Sequence, residues 1–299
     1  MRREFIDGLV ALAETDKRVI LLTADLGFGA IEPFAEGFPD RFMNVGVAEQ
    51  TMISVATGLA REGFRPYCYS IAAFAVARTW EFLRNGPVAH KLSVGLIGVG
   101  PGFDYGVDGH THHALEDVGL VRLLPQSRII CPSDAASAKH HAKRGLCSGG
   151  LTYYRLARSG PDCPLPVLSE EANAFSDSAC AIVALGDSWP KAAEIRDIAA
   201  ESGTSCTAYV VEELGSDEFE AKLGVLAAHE SVVVVEGHLT RGGLASAVSE
   251  ALGRTGWAGR ILPVGVLGLP TGQLGGADYM WQQQTMGLDD IVRWCAVGS

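Results

Sequence analysis

Apolar residues along this chain keep two rhythms. Some recur every three or four positions, as on one face of a helix; others form short unbroken runs of strand length. Residues 3–14 carry Phe5, Ile6, Leu9, Val10 and Ala13 on one helical face. RVILLTAD (18–25) is a continuous apolar run that closes on an acid, the pattern of a strand buried on both faces of a parallel sheet. A Gly- and Pro-rich loop is expected over 27–40. A helix is expected over 49–60, burying Met52, Ile53, Val55, Ala56 and Leu59. Strand-like runs follow at 65–71, 91–100, 127–134 and 151–158, with helical patterns at 74–85 and 135–146.

The alternation then breaks. SGPDCPLPVLSEEANAFSDSA (159–179) carries three prolines and many small or acidic residues, the composition of a linker. Beyond it the alternation restarts, with strand-like runs at 180–186, 204–214, 231–237 and 260–268 and helical patterns near 189–202, 217–228 and 242–254. Strand–helix alternation on both sides predicts an α/β chain of two domains, each a mainly parallel sheet flanked by helices. The domains are expected at 1–160 and 180–299, joined by a linker at 161–179. In such sheets ligands sit at the carboxyl ends of strands. That points to Asp25, the NVGVAEQ segment, Tyr69–Phe74, the GVGPGFDYGVDGHTHH loop and Arg155/Arg158.

Composition narrows the function. The 299 residues carry a formal charge of −11, which argues against a general binder of nucleic acid or anionic membrane. It leaves room for a small phosphorylated substrate held by one or two arginines. The N-terminus has no signal-peptide pattern, and no apolar run reaches the roughly 18 residues of a membrane span, so a cytoplasmic protein is expected. The seven cysteines (68, 131, 147, 163, 180, 206 and 295) are odd in number and scattered, with no CxxC pair. Free thiols are the simplest account, and neither a disulfide framework nor a zinc site is expected.

Four segments carry candidate chemistry. In VGVAEQ (45–50), Glu49 opens a helix, where the helix dipole favours a carboxylate; a capping acid is the plain alternative. DGHTHHALED (108–117) packs three histidines and three acids into ten residues. A metal at His110, His112 and His113, or a solvated loop, are both open readings. Arg155 and Arg158 end a strand and suit either anion recognition or surface ion pairs. EGHLTRGGL (236–244) has paired glycines at a strand-to-helix turn but no phosphate-loop signature, and is read as structural.

Order and spacing together say more. FPDRFMNVGVAEQ, ATGLAREGFRPYCYSIAAF, VDGHTHHALEDVGLVRLLPQSRIICPSD and YYRLAR resemble, in that order, the pyrimidine-binding half of transketolases. The later EGH…GGL and the second alternation resemble the transketolase C-terminal domain. The resemblance implies thiamine diphosphate as cofactor, with its diphosphate and Mg²⁺ held by a separate domain bearing Gly-Asp-Gly and a later Asn. This chain has no Gly-Asp-Gly; Gly186-Asp187-Ser188 is nearest, and Asn173 is the last asparagine. It therefore resembles the C-terminal subunit of a split transketolase, which implies an N-terminal partner subunit supplying that motif and a homodimer core. No metal ligand is expected in this chain.

Residue by residue, the resemblance implies that Glu49 hydrogen-bonds N1′ of the aminopyrimidine. To donate a proton, such an acid needs an apolar setting. Phe74 takes one aromatic position of the ring pocket, Ile71 replaces the other, and Asp25 lies near the cofactor. Asp108 and His112 would contact sugar hydroxyls, with His112 helping proton transfer and His110 an added imidazole. Arg158 and Arg2 (or Arg3) would bind a substrate phosphate. Two departures bear on specificity: Gly29 replaces a phosphate-binding Ser, and Gly100 a substrate His. The implied activity is transfer of a two-carbon ketol unit from a ketose to an aldose. The alternatives are the β subunit of a 2-oxo-acid dehydrogenase, a deoxyxylulose-phosphate-synthase-like enzyme, or a non-catalytic partner of the same fold.

Overall fold

In the computed structural model, which describes residues 1–158, 160–169, 171 and 178–296, the apolar runs become two sheets. The strands are β1 (Val19–Thr23), β2 (Phe42–Asn44), β3 (Arg65–Ile71), β4 (Val94–Val99), β5 (Arg128–Ile130), β6 (Leu151–Leu156), β7 (Cys180–Leu185), β8 (Cys206–Val211), β9 (Glu213–Leu214), β10 (Ser231–Leu239) and β11 (Arg260–Val266). The first sheet runs β2-β1-β3-β4-β6-β5-β9 and the second β11-β10-β7-β8. Every pairing is parallel except β5 with β9. The helices are α1 (Arg2–Thr15), α2 (Glu32–Gly37), α3 (Glu49–Arg61), α4 (Trp80–Leu83), α5 (Asp117–Arg122), α6 (Ala135–Arg144), α7 (Trp189–Glu201), α8 (Asp217–Ala221), α9 (Leu244–Thr255), α10 (Ala277–Gln284) and α11 (Leu288–Ala296).

Central strands are apolar because both faces are covered. Val94, Leu96, Ile97 and Val99 of β4 are all buried, and burying each contributes roughly 1.5–3 kcal/mol. On α3 the buried Glu49, Met52, Ile53 and Ala56 share one face. α6 starts where Asp134 accepts a hydrogen bond from the Ser137 amide at 2.8 Å.

Several elements differ from the sequence pattern. The helix expected over 74–85 is a short α4 between two wider turns, Phe74–Arg78 and Arg84–Val88, the second containing Pro87, which has no amide to donate. The run at 204–214 is two strands: β8 stays in the second sheet, and β9 crosses to the edge of the first. The pattern at 217–228 is α-helical only to Ala221 and continues as a 3₁₀ helix. The expected loop at 27–40 contains α2, and β2, α5, α10 and α11 join the expected elements. Within the linker, Leu168 donates its amide to Val210 at 2.9 Å, so part of it lies along β8. Residues 170 and 172–177 of that linker lie outside the described residues.

The carboxyl ends of the two sheets meet around Arg155, whose side chain is wholly buried. Its Nε donates to Asp117 Oδ2 at 2.8 Å and its Nη1 to Asp187 Oδ1 at 3.2 Å. The Tyr153 hydroxyl also donates to Asp117, at 2.7 Å. Burial works against the Arg155 charge, but these two carboxylates more than offset it. The anion-site reading of Arg155 is thereby corrected: the guanidinium is internal and already paired. Gly102 packs against the Gly237 backbone, leaving no room there for a β-carbon. Glu212, between β8 and β9, accepts from the Ser133 amide and hydroxyl at 2.9 and 2.6 Å, and lies 3.2 Å from His141 Nε2. Burial opposes its ionisation, yet bonds from His141, Ser133 and Ser137 bring its pKa down to about 2.

Beside this junction, burial raises Glu236 to about 8 and lowers His238 to about 4. Glu236 accepts the Leu244 amide at 2.6 Å at the start of α9 and stands 3.4 Å from His238 Nε2. The paired glycines after β10 allow this approach, since a β-carbon on Gly243 would overlap both side chains. The structural reading of EGHLTRGGL is thereby supported.

Replacing Arg155 with Ala leaves Asp117 and Asp187 buried without their cation. The expected loss is about 3–5 kcal/mol of unfolding free energy, read by chemical denaturation. The pH profile has two limbs. Between pH 6.5 and about 8 the folded chain keeps a proton on Glu236 that the unfolded chain has released, so stability falls as pH rises. Below about 4.5 the unfolded chain takes up a proton that Glu212 resists down to about 2, so stability falls with acid. Glu236→Gln is expected to flatten the alkaline limb and leave the acid limb, in melting curves recorded across pH.

Candidate functional site

Segments leaving the carboxyl ends of β2, β3, β4 and β6 bring a set of side chains together in one place, the candidate cleft. Glu49 is the first residue of α3 and only 2% exposed. Its Oε2 accepts a hydrogen bond from Arg78 Nη1 at 2.7 Å, while Oε1 has no partner among the described residues. The purely apolar setting expected for Glu49 is thus interrupted by a guanidinium. Arg78 in turn covers the Phe74 ring, 4.5 Å from its centroid. The wide turn after β3 places Phe74 and Arg78 four residues apart on the same side.

Contacts continue from there. The His112 ring meets Phe74 edge-on, with centroids 5.1 Å apart, and lies 6.4 Å from the Tyr105 ring. Arg158 lies over Tyr105 at 5.3 Å and donates its amide to Asp104 at 2.8 Å. One unbroken run of contacts therefore links Glu49, Arg78, Phe74, His112, Tyr105, Arg158 and Asp104. Burial raises the Asp104 pKa, against the opposing charges of Arg155, Arg158 and Arg2. Arg2, on the first turn of α1, thus shares this end of the cleft, and it also acts on Tyr69.

The remaining residues singled out from sequence divide. Ile71 ends β3 and is buried in the core. Exposed Asp25 sits in the left-handed region at φ 57° and clasps Asn44, which donates to its Oδ1 at 2.9 Å and accepts its amide at 3.0 Å. Asp108 and His110 are exposed on the loop after β4. The histidines do not converge on a metal: His113 turns inward, its ring edge-on to Phe103 at 5.0 Å, and burial lowers its pKa. His112 Nδ1 lies 3.0 Å from Thr111 Oγ1.

Three participants escaped sequence reasoning. Arg78 is 29 residues from Glu49, and only the wide turn brings them together. Asp104 and Tyr105 lay in a loop noted for its glycines. Tyr105 has a specific reason to matter: a β-carbon on Gly100 would overlap its ring. The missing side chain at 100 is thus replaced in space by Tyr105. A β-carbon on Gly29 would meet nothing within 4 Å, and the Gly29 amide donates to Glu32 at 2.7 Å.

Comparison with known proteins fits this arrangement. Residues 1–159 match the family model described as transketolase, pyrimidine binding domain. A putative transketolase C-terminal section from Methanocaldococcus jannaschii is 31% identical over 276 residues, covering 89% of this chain and 86% of that protein. A subunit of an apulose-4-phosphate transketolase from Phocaeicola vulgatus is 28% identical, covering 90% of this chain and 87% of that subunit. A solved split-gene transketolase, described as an inactive β4 tetramer, superposes with a TM-score of 0.83 at 28% identity, covering 98% of this chain and 96% of that one. The chain belongs to the transketolase family. Relatives that match it nearly end to end are themselves separate sections or subunits of transketolases.

Gly100→His is expected to cost about 1–3 kcal/mol by overpacking against Tyr105, beyond the left-handed backbone at φ 71°. Adding Tyr105→Ala should return most of the packing loss and leave a residual of about 1–2 kcal/mol from the backbone. Melting of the single and double variants separates the two costs.

Proposed function

We propose that this chain is the C-terminal subunit of a thiamine-diphosphate-dependent transketolase, transferring a two-carbon ketol unit from a ketose or its phosphate to an aldose or its phosphate. The observation that carries this reading is Glu49: a buried carboxylate opening α3, with one oxygen unpartnered and an aromatic ring reached through Arg78. That donor set suits an aminopyrimidine ring, which needs a carboxyl group at one nitrogen and apolar walls. Glu49 would hold that nitrogen, Phe74 and Ile71 would wall the ring, and Asp25 would stand at the neighbouring loop. When bound, thiamine diphosphate supplies the electron sink for the carbanion.

The chain's own residues do the rest. His112 is held by Thr111 at Nδ1 and by the Phe74 ring, which leaves Nε2 to exchange a proton with a substrate hydroxyl. Asp108 and His110, free on the loop surface, would take further hydroxyls. Arg158 and Arg2 would take a terminal phosphate, with Asp104 moderating their charge. Tyr105, filling the space beside Gly100, narrows the cleft at that end.

The diphosphate and Mg²⁺ fall to an N-terminal partner subunit carrying the Gly-Asp-Gly…Asn motif, which this chain lacks. Exposed apolar residues in carboxyl-end loops, Phe28, Val47, Val107, Leu269 and Leu274, support docking of other chains around the cleft. We read the assembly as a homodimer core with two partner subunits, in the cytoplasm, with each chain divided at the 161–179 linker. Among the described residues no helix is long and apolar enough to cross a membrane.

The test is Glu49→Gln in the complex reconstituted with the partner subunit. Ketol transfer should fall about 10²-fold or more, while the variant still folds and still assembles. Near-wild-type turnover would overturn the role given to Glu49.

A further inference from the structure

Cys180, Cys206 and Cys295 are far apart in sequence but meet in space. Their sulfur atoms all lie within 4.8 Å of one another. Cys180 and Cys206 are the first residues of β7 and β8 and are direct partners across the ladder. Cys295 comes from α11 near the end of the chain. This cluster sits at the amino ends of the second sheet's strands, away from the cleft at the carboxyl ends. It is the one group of three or more potential ligands among the described residues. No disulfide joins any pair of them.

The setting suits a cation. A cavity of about 490 Å³ reaches Cys180 and Cys295 and gives an entry path; His229, Ser231, Trp257 and Arg260 also line it. Three thiolates around a zinc-class ion at about 2.3 Å lie roughly 4 Å apart, close to the spacing of this cluster. Sulfur-only donation excludes Mg²⁺ and Ca²⁺, which require oxygen ligands. A three-thiolate complex of a divalent ion carries one net negative charge, and Arg260 lines the same cavity.

We propose that Cys180, Cys206 and Cys295 form a three-thiolate site for a thiophilic cation of the Zn²⁺ class, clasping α11 to the β7–β8 ladder. Binding is balanced as three thiols and one divalent ion giving a tris-thiolate complex and three released protons, with water from the cavity as fourth ligand. No electron transfer is involved. The expectation of scattered, unrelated thiols is revised accordingly for these three.

The full chain, stripped with chelator and kept reduced, is titrated with Co²⁺ as a spectroscopic probe and then with Zn²⁺. Expected are saturation at one equivalent, a thiolate-to-cobalt charge-transfer band, its loss on adding Zn²⁺, and proton release. Cys206→Ser and Cys295→Ser should each weaken binding at least tenfold, while Cys163→Ser leaves it unchanged. Zn²⁺ should also raise the melting temperature of the wild-type chain, a readout independent of the variants. The site is overturned if folded wild-type chain gives no charge-transfer band. It is equally overturned if the band survives in both variants, or if the untreated chain's mass is short by two hydrogens that map to a disulfide within this trio.

Discussion

A buried guanidinium ties the two sheets together where their carboxyl ends meet. Arg155 comes from β6 of the first sheet, Asp187 from the turn after β7 of the second, and Asp117 from the start of α5 between them. A charge in such a place must be compensated, so both carboxylates must be present and correctly placed. That constraint fixes which ends of the sheets face each other. It also fixes the path of the loop after β4, which runs from Gly102, tight against Gly237, to Asp117. With both ends of the loop fixed, His113 is driven inward while His112 faces the cleft. The geometry of the candidate site is thus set from behind, by groups that never reach it.

The electrostatics of the cleft differ from those of the surface. The chain is strongly acidic as a whole, yet the cleft carries three arginines. Arg78 is paired to Glu49, and Arg158 and Arg2 share the field of Asp104. Paired charges of this kind are held ready at little reorganisation cost, because a ligand replaces an existing partner instead of assembling one. Affinity for an anion is moderated in return. This balance, with Tyr105 in the place of a side chain at 100, makes the Arg158 end of the site narrower and less cationic than two free arginines would.

Much of the fold could be read from sequence because it follows from burial. Unbroken apolar runs, residues 19–22 in β1, Val94–Val99 in β4 and residues 232–235 in β10, are enough to mark central parallel strands. Elements held by particular contacts were less legible. β9 is two residues long and is defined by its partner β5, not by its own composition. The wide turns flanking α4 follow from backbone packing that no periodicity records. The site shows the same division. Glu49, Phe74, His112 and Arg158 lie in recognisable segments. Arg78 and Tyr105 matter through proximity alone, and the joining of three cysteines from β7, β8 and α11 has no local signature.

The crossing of β9 has a consequence for the order of events during synthesis. The far edge of the first sheet, at β5, is covered only by residues that follow two strands of the second. Until the chain has grown past Leu214, β5 presents an open edge, the kind of surface on which strands from other molecules can add. The first half is therefore not a finished module when its own last strand is made. Its completion is a long-range event of high contact order, and the nascent chain's most aggregation-exposed interval falls between the emergence of β6 and that of β9.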